Sequence, residues 1–209
     1  MLLEGFVGRE NFGKFMEDHH ISRAVEVGTL HGEFAIQLLK GWNGNLSCVD
    51  SFIGGYDDRD PVSHNDRNQD RLIAENALRP YAARCELLIM SSEQAAQRAW
   101  PDLGLVYVDG CHRIESVRQD LVLWWPHLKV GGVLAGHDFM LYPDVQIAVL
   151  EFAEVKKVNV YVVAEKVRLA WSFYMEKPEG STEDARQVPP ELPFQPPTAW
   201  QGGCHRISE

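Results

Sequence analysis

Strand-like and helix-like segments alternate five or six times along this chain, and two further strand-like segments close it. That order predicts an α/β fold: a doubly wound, mostly parallel sheet of about seven strands, the last of them antiparallel. Two observations agree. The run "LGLVYVD" is apolar nearly throughout, as expected of a central strand covered on both faces. The 209 residues, 45% of them apolar, supply one sizeable core rather than two. A single domain is therefore expected over residues 1–177, followed by a proline-rich tail over 178–209. In that tail "VPPELPFQPPTAW" forbids a regular helix or central strand. The tail reads equally as a disordered end or as a segment whose Phe194 and Trp200 pack on the domain or a partner.

Taken in order, Ala24 to Val27 reads as a short buried strand, and Gly28 and Gly32 bracket a tight turn. From about Glu33 the set Phe34, Ile36, Leu38 and Leu39 fits a short helix. "NLSCVD" is the second strand and ends in Asp50. Residues 51–67, "SFIGGYDDRDPVSHNDR", break every periodicity; a polar loop of that length is usually functional or disordered. A helix is expected over 68–79, then the strand "CELLIM", a short helix from about Glu93 to Ala99, and "LGLVYVD". The next helix carries Ile114, Val117, Leu121 and Trp124 as one stripe. Trp124 and Trp125 cannot share that face, so one is expected in the core and the other at the rim or against a partner. "GGVLAGHD" follows a Gly-Gly turn as a fifth strand, Val145 to Val155 is a helix, and "VNVYVVAEK" and "LAWSFYMEK" form an antiparallel pair.

Composition narrows the function. A formal charge of −10 without any local basic run argues against nucleic-acid binding, which requires cations to neutralise phosphates. No stretch approaches the roughly 18 apolar residues of a membrane span. "MLLEGFVGREN" is too short and interrupted for a signal peptide, so a reducing cytoplasm is expected. Of the cysteines at 48, 85, 111 and 204, Cys48 and Cys85 read as buried thiols, and Cys111 as incidental to any chemistry. The exposed final strands and the aromatic tail would suit a homodimer or simply face solvent.

In such a sheet ligands bind beyond the carboxyl ends of the strands. Here those ends are Glu26-Val27-Gly28, Asp50, Ser91-Ser92-Glu93, Asp109-Gly110-Cys111-His112 and His137-Asp138. Gly28-x-x-x-Gly32 matches neither a nicotinamide fingerprint nor a P-loop, but it permits close backbone approach to a ligand. Asp50 is placed to accept from a ribose diol; otherwise it caps a helix or faces solvent. Asp109 and His112 would face one cavity from a strand end and a first helical turn. There the imidazole can accept a proton near neutral pH, or it merely caps the helix. The loop 51–67 would sit over the substrate side of that rim, where Tyr56, Asp57, Asp58, His64 and Asp66 either contact substrate or a metal or, for most of them, are expected to be solvated; its many acids make an anionic acceptor unnatural.

"AVEVGTLHGEFAIQLL", the later "VD", "VYVDGCHRIESVRQDLVLWWPHLKVGGVLAGHDF" and "WSFYMEK" together resemble class I S-adenosylmethionine-dependent methyltransferases, over roughly residues 21–177. Within that Rossmann-like superfamily the chain is similar to the small-molecule O-methyltransferase branch of catechol and macrolide-sugar enzymes. The resemblance implies that Glu26, Gly28, Thr29 and Gly32 line the methionine and ribose portion of the cofactor. It implies that Asp50 holds the ribose hydroxyls, and that Asp109 also borders the cofactor. Ser92 and Glu93 would give adenine-side contacts after the fourth strand in spatial order. Asp109 and Asp138 match the metal-holding positions of metal-dependent members, or else orient the substrate, with backbone capping a further alternative for Asp138; His112 falls where catechol-type enzymes place a lysine base. Phe139 departs from the usual Asn, so the third protein ligand is either His137 or missing. Two carboxylates and an imidazole suit Mg²⁺, Mn²⁺ or Fe²⁺. The implied reaction is methyl transfer to a hydroxyl of a small sugar-like or phenolic molecule. The alternatives are a non-catalytic protein that binds S-adenosylmethionine or S-adenosylhomocysteine, and another nucleotide-cofactor enzyme on the same scaffold.

Overall fold

The computed structural model describes residues 1–5, 8–165 and 170–180. Expectations for Phe194, Trp200, Cys204 and most of the proline-rich tail lie outside the described residues. Eight strands form one sheet: β1 (Leu2–Glu4), β2 (Arg23–Val27), β3 (Asn45–Asp50), β4 (Cys85–Ile89), β5 (Leu103–Val108), β6 (Leu128–Gly136), β7 (Val160–Val163) and β8 (Ser172–Glu176). Six helices accompany them: α1 (Phe12–Asp18), α2 (Glu33–Gly41), α3 (Arg67–Leu78), α4 (Ser92–Ala96), α5 (Ile114–Trp124) and α6 (Pro143–Lys156).

The strand order is β1-β7-β8-β6-β5-β2-β3-β4. Strands β2 to β6 run parallel, and β8 runs antiparallel to both neighbours, pairing Tyr174 with Ala135 on one side and Tyr161 on the other. The mostly parallel sheet with an antiparallel last strand is thus present, with one strand more than expected. The extra strand is β1, whose Leu2 pairs with Val160 of β7. "CELLIM" lies at the sheet edge rather than fourth in spatial order.

Side-chain alternation explains why "LGLVYVD" reads as continuously apolar. Val106 points into the layer holding Leu121, Trp124, Val149 and Phe152, whereas Leu105 and Tyr107 point into that of Phe12, Met16, Leu38 and Trp42. Both Trp124 and Trp125 are fully buried. They manage this because α5 ends at Trp124 and a 3₁₀ turn over Trp125–His127 re-aims the second indole towards Phe152, at 5.3 Å between ring centroids. The Gly-Gly pair is inside β6 rather than before it. Gly131 adopts φ 72°, and the β5–β6 register shifts between Leu103 and Leu105, a local irregularity that glycine tolerates.

The helix boundaries follow their caps. Asp66 accepts from the amides of Asn68 and Gln69 and starts α3, and Ser91 forms a capping box with Gln94 at α4. Cys48 is buried and Cys85 half-buried; their Sγ atoms lie 3.7 Å apart as free thiols.

Candidate active site

The carboxyl ends of β2, β3 and β5 open into a cavity of about 560 Å³. Of the residues singled out from sequence, Glu26, Gly28, Thr29, Asp50, Ser92, Glu93, Asp109, His112 and Asp138 line it. Gly32 stands behind the wall as the left-handed N-cap of α2, and His137 lies beneath it, against Asp109 and Asp138.

The β2–β4 side is dense with main-chain donors. Asp50 accepts from the amides of Leu30 at 2.9 Å and Phe52 at 2.8 Å, and from Arg67 Nη2 at 3.3 Å. A carboxylate offers about four acceptor sites, which leaves capacity for one ligand hydroxyl. Arg67 also bonds Asp70 at 2.7 Å, whose other oxygen meets His31 at 2.7 Å. Glu26 is buried and accepts from Thr29 Oγ1 at 3.1 Å; burial pushes its carboxyl up to about 8 against the opposing pull of Arg9. Gly28 has φ 88°, and a Cβ there would sit 2.0 Å from the Asp109 carbonyl oxygen, so the two strand-end loops touch backbone to backbone. At the far end Ser92 Oγ donates to Asp120 at 2.5 Å and accepts from the Trp124 indole at 2.8 Å. Burial pushes the Asp120 carboxyl up to about 6, with the Ser92 hydrogen bond opposing.

The β5–β6 side is dense with ionisable groups instead. Asp109 is bonded at 2.5 Å by Arg9, which reaches it from a 3₁₀ turn one hundred positions earlier in the chain. Asp138 holds φ 58°, a left-handed conformation uncommon outside glycine and a form of strain typical of functional sites. His112 Nε2 lies 3.0 Å from Asp138 Oδ2, and its Nδ1 lies 3.7 Å from Asp60 Oδ2. Both ring nitrogens are buried and neither contact has hydrogen-bond geometry. The ring stacks on Tyr142 at 4.0 Å and 6°. Burial would depress the His112 pKa, but Asp138, Asp109 and Asp60 together raise it.

His137 Nδ1 sits 3.6 Å from Asp109 and 3.4 Å from Asp138, and its Nε2 sits 3.5 Å from Glu165. Burial opposes the charged form, yet these three carboxylates push the imidazole up to about 11. Glu165 is itself fixed by Ser172, which donates at 2.6 Å. One ligand atom each from Asp109, His137 and Asp138 falls within 4.8 Å of the others, a spacing that a divalent cation can bridge. The two carboxylate oxygens suit Mg²⁺ and the added imidazole nitrogen favours Mn²⁺ or Fe²⁺, and Glu165 behind His137 supplies the orienting carboxylate such ligands use. The donor set therefore fits a cation once His137 releases its proton and Arg9 releases Asp109.

The loop over residues 51–67 is more built than its composition suggests. His64, Asp58 and Asp66 are exposed, as expected, but Asp57 and Asp60 are buried. Arg59 ties the loop down by bonding Asp57 at 3.0 Å and Asp144 of α6 at 2.8 Å. Asp60 accepts from Tyr56 at 3.0 Å and from the Val62 amide, starting a 3₁₀ turn at Pro61. Sequence reasoning missed Arg9, Arg67, Asp120, Tyr142 and Glu165 as parts of the site. For Asp60 a signal existed, since Asp-Pro opens turns.

Comparison with known proteins adds the following. The profile of a family described as "Methyltransferase domain" matches residues 25–139, more than half of the chain. No curated protein sequence matches it significantly. Among solved structures, the fold is similar to an O-methyltransferase of tomaymycin synthesis from Streptomyces achromogenes in complex with S-adenosylmethionine. That pair has 12% identity and a TM-score of 0.62, covering 81% of this chain and 79% of the other. It is also similar to an O-methyltransferase from Bacillus cereus in complex with S-adenosylhomocysteine, at 11% identity and TM-score 0.61, covering 81% and 80%. An rRNA methylase from Streptococcus thermophilus is similar at 15% identity and TM-score 0.53, covering 81% and 94%.

Proposed function

The chain belongs to the methyltransferase-domain family, with the class I S-adenosylmethionine-dependent architecture, and we propose that it methylates a hydroxyl of a small sugar-like or phenolic molecule. The observation that carries this reading is His112: two buried ring nitrogens without hydrogen-bond partners, on the wall of the cavity and beside Asp138. The cofactor supplies an electrophilic methyl group. The chain must supply a deprotonated oxygen held in line with it, because neutral alcohols and phenols are poor nucleophiles.

Glu26, Gly28, Thr29, Asp50, Ser92 and Glu93 would hold the cofactor, Gly28 by letting backbone approach it and Asp50 through its remaining acceptor site. His112 would take the hydroxyl proton, its plane fixed by Tyr142 and its basicity raised by the surrounding carboxylates. Carboxylates at 60, 109 and 138 on the wall favour a neutral acceptor over an anionic one. A cavity of about 560 Å³ lies in the range of small-molecule sites, and the pinned loop contributes Ile53, Tyr56 and Val62 to its wall. A methyl-labelled cofactor incubated with a panel of sugars and phenols tests the reading. Labelled methyl ethers should form with wild type and fall sharply with His112→Ala; labelled N-methyl products alone would sink it.

The Asp109, His137 and Asp138 spacing favours a second, metal-assisted version of the same reaction. Those residues would hold Mg²⁺ or Mn²⁺, which lowers the pKa of a coordinated hydroxyl. Metal-stripped protein should then lose turnover and regain it with either ion. Undiminished turnover would leave His112 as the sole activator.

A further inference from the structure

The cavity wall carries two arginines and no lysine among the described residues. Arg67 is committed to Asp50 and Asp70. Arg9 is different. Its guanidinium lies 4.0 Å over the Phe34 ring and 5.1 Å from that of Tyr107, bonds Asp109, and keeps a buried Nε with no hydrogen-bond partner among the described residues. It is also firmly delivered. β1 pairs with β7, the Gly5 amide donates to Val162, and the Gly8 amide donates to Ala164, which sets the turn that begins at Arg9.

The cofactor is an adenosine joined through sulfur to an amino acid, and the amino-acid end carries one carboxylate and one ammonium. On the reading above, the adenosine occupies the β3–β4 end of the rim near Ser92 and Asp50, so the amino-acid end extends past Gly28 towards β5. Glu26 and Asp109 can meet an ammonium there. A carboxylate in the same place needs a cation, and Arg9, which lies near Glu26 but is hydrogen-bonded only to Asp109 among the described residues, is the one within reach. We propose that Arg9 binds the carboxylate of the cofactor's methionine portion, exchanging its bond to Asp109 for one to the ligand. The exchange frees Asp109 for the ammonium or for the acceptor side. A guanidinium suits this role because its planar fork matches a carboxylate, which a lysine ammonium does not.

This inference rests on the cofactor reading, and the test separates the two. S-Adenosylhomocysteine, its decarboxylated analogue and 5′-methylthioadenosine, which lacks the whole amino-acid end, are titrated calorimetrically into wild type, Arg9→Lys and Arg9→Gln. Wild type should bind the decarboxylated analogue roughly 10- to 150-fold more weakly than S-adenosylhomocysteine, the size of a hydrogen bond to a charged group. Arg9→Gln should lose a similar factor for S-adenosylhomocysteine while its affinity for methylthioadenosine changes less than about 3-fold, with Arg9→Lys between. Equal affinity of wild type for the carboxylated and decarboxylated ligands overturns the proposal without any variant having to fold. An equal loss for all ligands in Arg9→Gln also overturns it, since Arg9 would then only support the wall. Wild type binding methylthioadenosine but rejecting S-adenosylhomocysteine overturns it while leaving an adenosine site. Binding none of the three removes the cofactor reading and the proposal together.

Discussion

On the β2–β4 side of the rim Asp50 and Glu26 are met by main-chain amides, a hydroxyl and an arginine; on the β5–β6 side the carboxylates are met by histidines, by Arg9 and by one another. Asp50 and Glu26 have hydrogen-bond partners in place before any ligand arrives. His112 has none with proper geometry, and Asp138 sits in a strained backbone conformation beside it. The contrast separates two tasks. Holding a cofactor calls for a surface whose shape is already settled, while activating a nucleophile calls for groups left under-satisfied until a substrate completes them.

The most severe way to break that division is at the point where the halves touch. Gly28→Ala places a methyl against the Asp109 carbonyl and forces a left-handed backbone on a residue with a side chain. The two penalties together reach up to about 6 kcal/mol. Urea denaturation should register that loss, and S-adenosylhomocysteine binding should vanish with it; a variant of near-native stability would mean the loops separate freely.

Next in size, His112→Ala should reduce turnover by roughly 10²–10⁴-fold, about 3–5 kcal/mol of barrier. Calorimetric affinity for S-adenosylhomocysteine should stay within a factor of about 3. Loss of binding in parallel with turnover would erase the boundary between the halves.

Asp120 sharpens the comparison because, like Glu26, it is a carboxyl on the cofactor side that burial raises. Its folded-state pKa is raised by burial to about 6, above the ~3.9 of an unfolded chain. The folded state therefore holds the proton more tightly, and this group's stabilising contribution is full below pH ~4 and is lost as pH rises through ~6, on the order of 3 kcal/mol in all. Asp120→Asn keeps an acceptor for Ser92 and titrates nowhere in that window. Denaturation of both proteins across pH 4–7 should show the variant lacking this slope; identical slopes would place the charge elsewhere.

The smallest effect belongs to the exposed part of the loop. His64→Ala and Asp58→Asn should alter stability by less than about 0.5 kcal/mol and leave turnover unchanged. A deficit in either would show that the loop tip joins the acceptor site.

Much of the cofactor side was legible in the sequence because strand ends announce themselves. The runs ending at Val27, Val49 and Val108 are largely apolar and then turn abruptly polar or glycine-rich, and the fold brings those breaks to one rim. The second layer of the site was not legible. Arg9 is one hundred positions from Asp109 and sits after a three-residue strand too short to show a period. Helix α1 does carry a legible pattern, with Phe12, Phe15 and Met16 at helical spacing. Asp57 and Asp60 look like solvated loop acids because the sequence does not show that Arg59 folds back on Asp57 and reaches Asp144, 85 positions away; only the Asp-Pro step announces the turn at Asp60. Trp125 escaped the helical stripe because the helix stops one residue before it.

The pairing of β1 with β7 has a consequence for how the protein is made. Arg9 leaves the ribosome about 150 residues before the strand that positions it, Val160–Val163, and β8 must then insert between β7 and β6 to join that edge to the rest. At ~5–20 residues per second the segment around Arg9 waits roughly 8–30 s for its partner. The guanidinium is thus made before the rest of the wall yet reaches the site last, and a nascent chain halted before residue 160 would display the glycine turn and Asp50 with no guanidinium beside Asp109.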